Sequence, residues 1–441
     1  MTIIHQVSKA MQKVLTKEAE QAAKTTGFIQ RQGKVTGANF CQTVVFGWLQ
    51  NPEATLEELC QCGVSVGLEI TPQGLDQWFT QRASDCLYEV LQAAIAETIQ
   101  SEAVAIPILQ RFAGVYIEDS SSISLPEELA TVWQGCGGNQ FTSNGGVKLQ
   151  VRWDMLQGKL DGPYLTDGRT HDRVAAEMNQ ALPEGSLLIR DLGYWKLETF
   201  ATIGQSEAYW LSRMQAQTGF YDQAGQPWTQ VAFLQQQSGD SFDCPIELGV
   251  TKRIPARLVG FRVPAPVAAE RRRKLKADAK RKGQTLSAAR LALCDWSLFV
   301  TNVPEELLTA EEILVLARLR WQIELLFKLW KSHGYIDKSR SEKPWRILCE
   351  LYAKLIGMII QHWSFLLGNW TFPDRSLVKA SATVRRHAIH LALSIGKQSR
   401  LLEALKVLQT CLTHGVRINK RAQSPHTFQL LLALTEQDDL A

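Results

Sequence analysis

Residues 114–126 read GVYIEDSSSISLP, and the rest of the fold follows from how this stretch is taken. Val115, Ile117, Ile123 and Leu125 sit at alternate positions among polar neighbours, the period-two pattern of a half-buried strand, and Pro126 closes it. Downstream, VKLQVRWDMLQGKL (147–160) and GPYLTDG (162–168) continue as strands separated by Gly-containing turns. HDRVAAEMNQAL (171–182) then has helical spacing, SLLIRD (186–191) is a short buried strand, and GYWKLETFATIGQ (193–205) is again helical. A strand meander followed by strands alternating with helices predicts a mixed α/β sheet.

Outward from this core, residues 1–105 read as helices throughout, with Thr55 and Thr71 placed to cap TLEELCQCGVSVGL and TPQGLDQWFTQRASDCLYEVLQAAIAETI. A helix-turn-helix DNA reader and a plain helical bundle both fit that spacing. Residues 106–204 form the first part of the sheet domain. Residues 205–290 interrupt it with the expected strands AYWLSRM, WTQVAFL, CPIELGV and ARLVGFRV, then a basic run. The rhythm resumes over 291–345 with the strand WSLFVTNV and one long helix from about Ala310 to His333, and 346–441 is helical.

At 441 residues with 45% hydrophobic content, the chain is a folded protein of two or three domains. Its nine cysteines include no CxxC pair, which suits a reducing compartment and argues against a structural zinc site. MTIIHQVSKAMQKVL lacks the continuous apolar stretch of a signal peptide, and Glu350, Lys354 and His362 interrupt the most apolar helical segment, so neither secretion nor a membrane span is expected. The net charge of +4 hides a local imbalance: residues 251–290 carry thirteen Lys or Arg against Glu270 and Asp278. Such density marks either a contact surface for a polyanion or a solvated charged helix.

Three carboxylates stand out. Asp119 ends the apolar run GVYIE and Asp191 ends SLLIR, and an Asp closing a central strand lies at the sheet rim where ligands of α/β sheets bind. On the helix EEILVLARLRWQIELLFKLWKSHG (311–334), about 100° per residue puts Glu324 about 40° and Lys331 about 20° from Arg320, one narrow charged stripe between apolar flanks. Three carboxylates at a rim form a hard-oxygen site suited to two Mg²⁺ ions, or Mn²⁺ in their place. Such ions activate a water or a 3′-hydroxyl and stabilise the leaving oxygen of a phosphoryl displacement. Arg320 and Lys331 would hold phosphates on either side of the reacting bond. Asp154 and the pair His171 and Asp172 are set aside, the first as late in its strand, the others as a helix cap.

These residues resemble bacterial insertion-sequence transposases of the insertion-sequence-4 type. Arg320, Glu324 and Lys331 match R-x3-E-x6-K of the family's Y-x2-R-x3-E-x6-K motif, RDLGYW matches the setting of its second Asp, and EDSSSISLP that of its first. The resemblance covers about residues 105–370. It implies a ribonuclease-H-like core carrying a D-D-E triad, here Asp119, Asp191 and Glu324, with a mainly β insertion before the Glu helix. It also implies metal-dependent cleavage and joining of DNA at terminal inverted repeats, target DNA as the second substrate, a homodimer on paired ends, and a cytoplasmic, nucleoid-associated protein. Arg271, Arg272, Arg273, Lys274, Lys280, Arg281 and Lys282 would grip the DNA backbone. Trp296 corresponds to a Trp that stacks on a flipped base in some relatives, or is a core aromatic. The motif Tyr is replaced by Ala317, a departure that leaves room for a relative that binds DNA without cutting it. The same core also serves nucleases that never join strands.

Overall fold

A computed structural model describes residues 2–138, 143–172, 181–419 and 425–438. The fold is α/β, with a mixed sheet and helices at both chain ends, as the sequence predicts. The strands are β1 (Val115–Leu125), β2 (Gln134–Gly138), β3 (Ser143–Asp154), β4 (Leu160–Asp167), β5 (Leu187–Arg190), β6 (Tyr209–Arg213), β7 (Phe220–Tyr221), β8 (Pro227–Trp228), β9 (Ser241–Leu248), β10 (Ile254–Arg262) and β11 (Trp296–Thr301). Most of the helix expected at 171–182 lies outside the described residues.

The chain divides into two compact units. The first comprises Met1–Ala105, Ser120–Thr170 and Gln322–Pro425. Its centre is the helix Pro344–Leu366, buried on nearly every face, which packs on Gln81–Ala96 and Gly37–Gln50. The charged residues of that apolar helix are accounted for inside the unit: Lys354 pairs with Glu350 at 2.8 Å and donates to the Tyr335 and Lys338 carbonyls, each at 2.9 Å. Thr55 and Thr71 cap their helices as expected, and Gln81–Ala96 buries Ala83, Cys86, Leu87, Val90, Leu91 and Ala94 in the bundle. Among the described residues, no helix is long and apolar enough to cross a membrane.

The second unit comprises Ile106–Asp119, His171–Trp321 and His426–Ala441. In it β1 pairs parallel with β5, β5 pairs parallel with β6, and β11, β10 and β9 follow as successive antiparallel neighbours. The strands of the 205–290 segment thus extend this sheet. A core of Leu188, Phe200, Trp210, Leu248, Leu258 and Val300 fills one side.

Two local expectations fail for identifiable reasons. WTQVAFL is not a strand: Thr229 accepts a hydrogen bond from the Ala232 amide and starts the helix Gln230–Gln235, so a side-chain cap outweighs the β-branched content. The long helix from Ala310 is also broken. Ala310–Leu316 is α-helical, Ala317–Arg320 tightens to a 3₁₀ turn, and Trp321–Ser332 resumes as α-helix. An apolar spacing of three or four residues satisfies both helix types, so the pattern conceals the break.

Candidate functional site

The site begins with strand register. Val115, Tyr116, Ile117 and Glu118 of β1 stand opposite Leu187, Leu188, Ile189 and Arg190 of β5, and Arg190 stands opposite Ser212 of β6. One step onward, Asp119, Asp191 and Arg213 line up across three adjacent parallel strands: Asp191 follows the last residue of β5 and Arg213 ends β6, whereas Asp119 does not close its strand as expected but lies within β1, just past the stretch paired with β5. Asp191 keeps extended backbone angles, φ −82° and ψ 163°, before the chain turns into the 3₁₀ segment Leu192–Tyr194. In-register neighbours in a parallel sheet point to the same face, so these three side chains share one rim.

Arg320 gathers the two carboxylates. Its guanidinium lies 3.7 Å from Asp119 and 3.6 Å from Asp191, with the three side chains only 22–38% exposed. These contacts are looser than the 2.7–2.9 Å of a direct charge-assisted hydrogen bond. The 3₁₀ turn that breaks the long helix is the element that carries Arg320, so the break serves the site.

On the opposite face, one residue earlier, Glu118 and Arg190 form a 2.6 Å ion pair at 0% and 5% side-chain exposure. The Arg190 guanidinium lies 5.7 Å from the buried Tyr194 ring. Sequence reasoning missed this pair. The signal available was a charged residue directly before each Asp at the end of an apolar strand.

Glu324 and Lys331 lie in the first unit, on the helix Trp321–Ser332, with Glu324 in its first turn and Lys331 in its last. Both charges suit the helix dipole. Lys331 donates to the Ser122 carbonyl at 2.9 Å, and Glu324 is half-buried.

Hard carboxylate oxygens are the donors that Mg²⁺ or Mn²⁺ prefers. Asp119 and Asp191, already converging on one cation, fit that role, while among the described residues no three His, Cys, Asp or Glu side chains form a ready-made metal cluster.

The basic run forms the helix Ala265–Arg281 and is less free than its composition suggests. Arg271 donates to the Trp296 carbonyl and the Ser297 hydroxyl, and Arg272 pairs with Asp295. Arg273 and Lys274 lean on Glu270, and Arg281 on Asp278. Lys280 and Lys282 are exposed. Trp296 is 7% exposed, with the Arg262 guanidinium 4.7 Å from its ring centroid and Phe242 packed at 5.4 Å.

Asp154 is buried and accepts from the Leu156 amide, shaping the turn between β3 and β4. The Asp172 carboxylate comes within 3.4 Å of where a side chain on Gly193 would begin, two residues past Asp191. Arg213 was also missed, although an Arg ending the apolar strand AYWLSRM was visible. Its side chain is exposed at the rim. Surrounding protein, then Arg271 and Arg320, lower its pKa from the ordinary arginine value, and Asp191 opposes them.

Comparison with known proteins converges on one kind of relative. Residues 110–360, more than half of the chain, match the family described as Transposase DDE domain. The transposase for insertion sequence element IS231F of Bacillus thuringiensis subsp. israelensis is 26% identical, covering 97% of this chain and 94% of its own. That for IS231B of Bacillus thuringiensis subsp. berliner is 28% identical, over 77% of this chain and 75% of its own. That for IS1151 of Clostridium perfringens is 25% identical, over 78% and 76% respectively.

Proposed function

Since the chain belongs to the family of insertion-sequence transposases with a D-D-E catalytic domain, we propose that it binds the terminal inverted repeats of its own element, cuts the DNA there and joins the freed ends to target DNA. The observation that carries this reading is the placement of Asp119 and Asp191 side by side on adjacent parallel chain segments, drawn to a single guanidinium. Glu324, one helical turn after Arg320, is the third carboxylate. Two Mg²⁺ ions, or Mn²⁺, when bound to these residues, supply Lewis acidity for activating a water or a 3′-hydroxyl.

The chain's own groups do the rest. Asp119, Asp191 and Glu324 provide the anionic seat. Arg320 and Lys331 hold backbone phosphates, and Arg320 also keeps the two Asp side chains from repelling one another until the site is loaded. The exposed Lys280 and Lys282 grip flanking DNA, with Arg273, Lys274 and Arg281 free to exchange helix-borne acidic partners for phosphates. Arg271 and Arg272 act from their anchored positions. Stacking of Trp296 on a flipped base requires Arg262 to swing off its ring. The helices of 1–105 read the element ends, a homodimer holds two ends together, and the protein works on chromosomal DNA in the cytoplasm.

The test is strand cleavage by the full chain on duplexes carrying the element's inverted repeats, with Mg²⁺ or Mn²⁺. Cleaved and joined products are expected, and Glu324→Ala should abolish both while retaining end binding. Normal cleavage by that variant refutes the triad, and cleavage without joining identifies a nuclease. Ala317 at the motif Tyr position favours a second reading, a relative that binds ends without cutting; absence of nicking even in Mn²⁺ would establish it.

A further inference from the structure

The positive charge of residues 251–290 has a counterpart nearer the end of the chain. Residues 375–421 carry ten Lys or Arg against a single acidic residue, Glu403. Within the first unit they build a hairpin of two helices, Leu377–Ser394 and Gln398–Gly415, packed on one another. At its open end Arg375 and Arg417 pair antiparallel, and the Ser376 amide donates to the Val416 carbonyl at 2.8 Å. Equal steps inward from that pair, to 386 on one helix and 406 on the other, set Arg386 level with Lys406.

Some of these cations serve the fold. Arg375 is 5% exposed and donates to the Trp370 and Phe372 carbonyls. Lys379 donates to the Arg417 carbonyl at 2.7 Å, and Arg417 lies 3.5 Å from Asp374. Arg385 donates to the Gln50 and His333 carbonyls, each at 3.4 Å, which sets the hairpin against the end of the helix that carries Glu324 and Lys331. Arg386, Lys397, Arg400 and Lys406 are exposed, and among the described residues none of their side chains has a hydrogen bond or an ion pair. Even Glu403, three residues from both Arg400 and Lys406, pairs with neither. Two of the four also oppose the helix they stand on. Gln398–Gly415 has no acidic residue in its first turn, and Lys397 at the N-cap with Arg400 just inside adds positive charge to the positive end of the helix dipole. Gathering like charges in this way costs the fold stability unless an anion from outside the chain is to share them.

From the level of Arg386 and Lys406 to the turn, the four cations cover about 15 Å at 1.5 Å per residue, the length of about four successive phosphates of one DNA strand at 3.4 Å each. Lys and Arg side chains that no protein partner orients grip phosphates and carry no base readout, so they hold duplex of any sequence. The ends of an element have to be read, whereas the DNA that receives them has only to be held. We propose that the hairpin 377–415 is the surface that holds target DNA, gripping its backbone through Arg386, Lys397, Arg400 and Lys406. This rests on the transposase reading above. Val378, Leu393 and Val407, 47–56% exposed on the same two helices, make a second copy of the chain the rival occupant.

The experiment compares the full-length parent with three double variants: Arg386→Ala with Lys406→Ala, Lys397→Ala with Arg400→Ala, and the charge-conserving Arg386→Lys with Lys406→Arg. On a duplex without element ends, each alanine pair should lower the slope of log K against log salt by about 1.8, which is about 30-fold weaker binding at 0.15 M salt with affinities taken as equal at 1 M. The charge-conserving pair should bind like the parent. Supplied with element ends and a subsaturating plasmid target, the alanine pairs should cut the ends at the parent rate and join them about 30-fold more slowly, recovering as plasmid is raised. Melting temperatures should not change, since the four side chains are exposed and unpartnered; a fall of several degrees in both alanine pairs assigns the charges to the fold and overturns the proposal. Equal losses of cutting and joining assign the hairpin to the element ends, and a changed oligomeric state with an unchanged slope assigns it to a second copy; either result overturns the proposal. The slope is read from binding alone, so an unchanged slope refutes the surface even if the parent neither cuts nor joins. Loss of both reactions in the parent with the expected slope change refutes the transposase reading instead.

Discussion

Glu118 and Arg190 offer the most direct physical test of how the two Asp side chains are held. The pair occupies the last register position shared by β1 and β5 before Asp119 and Asp191, at 2.6 Å and almost fully buried. Glu118→Leu removes the anion and leaves the Arg190 guanidinium desolvated, a change that costs about 3–5 kcal/mol when one partner of a buried pair is deleted. Replacing both, as Glu118→Leu with Arg190→Met, substitutes apolar volume for two desolvated charges and should be near neutral or mildly stabilising. The coupling energy between the two sites is then most of the single-mutant loss.

Because the chain has two compact units, a single global unfolding midpoint would mix their responses. Amide hydrogen exchange followed on peptides spanning residues 115–119 and 186–191 isolates the strands concerned. With tenfold per about 1.4 kcal/mol, exchange at Ile117 and Ile189 should accelerate by about two to three and a half orders of magnitude in Glu118→Leu. It should return close to the parent rate in the double variant. If the single variant stays within tenfold of the parent, water reaches Arg190, and the pair does not hold the strand ends together. If the double variant exchanges as fast as the single one, the ion pair itself, rather than filled volume, keeps the register.

Two further outcomes follow from burial and from free charge. His362 is 1% exposed, 2.7 Å from the Gly158 carbonyl and walled by Trp153 and Trp370, and burial pushes its pKa down to about 4 from 6.5. The unfolded chain therefore binds a proton between these values that the native one refuses, so stability is lost as pH falls through that window, by about 2 kcal/mol at pH 5. Urea midpoints of the parent and His362→Gln at pH 7.5 and pH 5 check this, and an equal acid-induced loss in both proteins refutes it. On the basic helix, Lys280→Ala with Lys282→Ala should lower the salt slope of DNA binding by about 1.8, whereas Arg272→Ala, whose charge is partly met by Asp295, should lower it by less than the roughly 0.9 of one full phosphate contact.

What the sequence reveals and what it conceals divide along a physical line. β5 is legible because Leu187, Leu188 and Ile189 form an uninterrupted apolar run ended by charge, and β1 because Val115, Ile117, Ile123 and Leu125 keep one period-two phase at its two ends. Asp119 and Asp191 are legible for the same reason, as the first charges after each run that face the rim. The Glu helix is legible as a helix but not as one whose turn before Trp321 tightens. Arg320 ends the 3₁₀ turn Ala317–Arg320 and reaches Asp119 and Asp191 from there.

Arg213 shows where reading along the chain stops being enough. Alternation along a strand tells which residues share a face, but not which strand lies beside which. Asp191 and Arg213 are separated by the helix Leu197–Gln205 and become neighbours only through the parallel crossover from β5 to β6. The same holds for Arg271, brought to the rim because the 205–290 segment returns through β9 and β10 to pair with β11. The positive charge counted along residues 251–290 is therefore not one surface. Part of it, Arg271 and Arg272, is fixed against the start of β11, and part, Lys280 and Lys282, is exposed on the far end of the helix. Composition left a polyanion surface and a solvated helix equally open, and the resemblance implied one backbone-gripping run. The lateral order of the strands instead anchors its first residues at the start of β11 and leaves its last residues exposed.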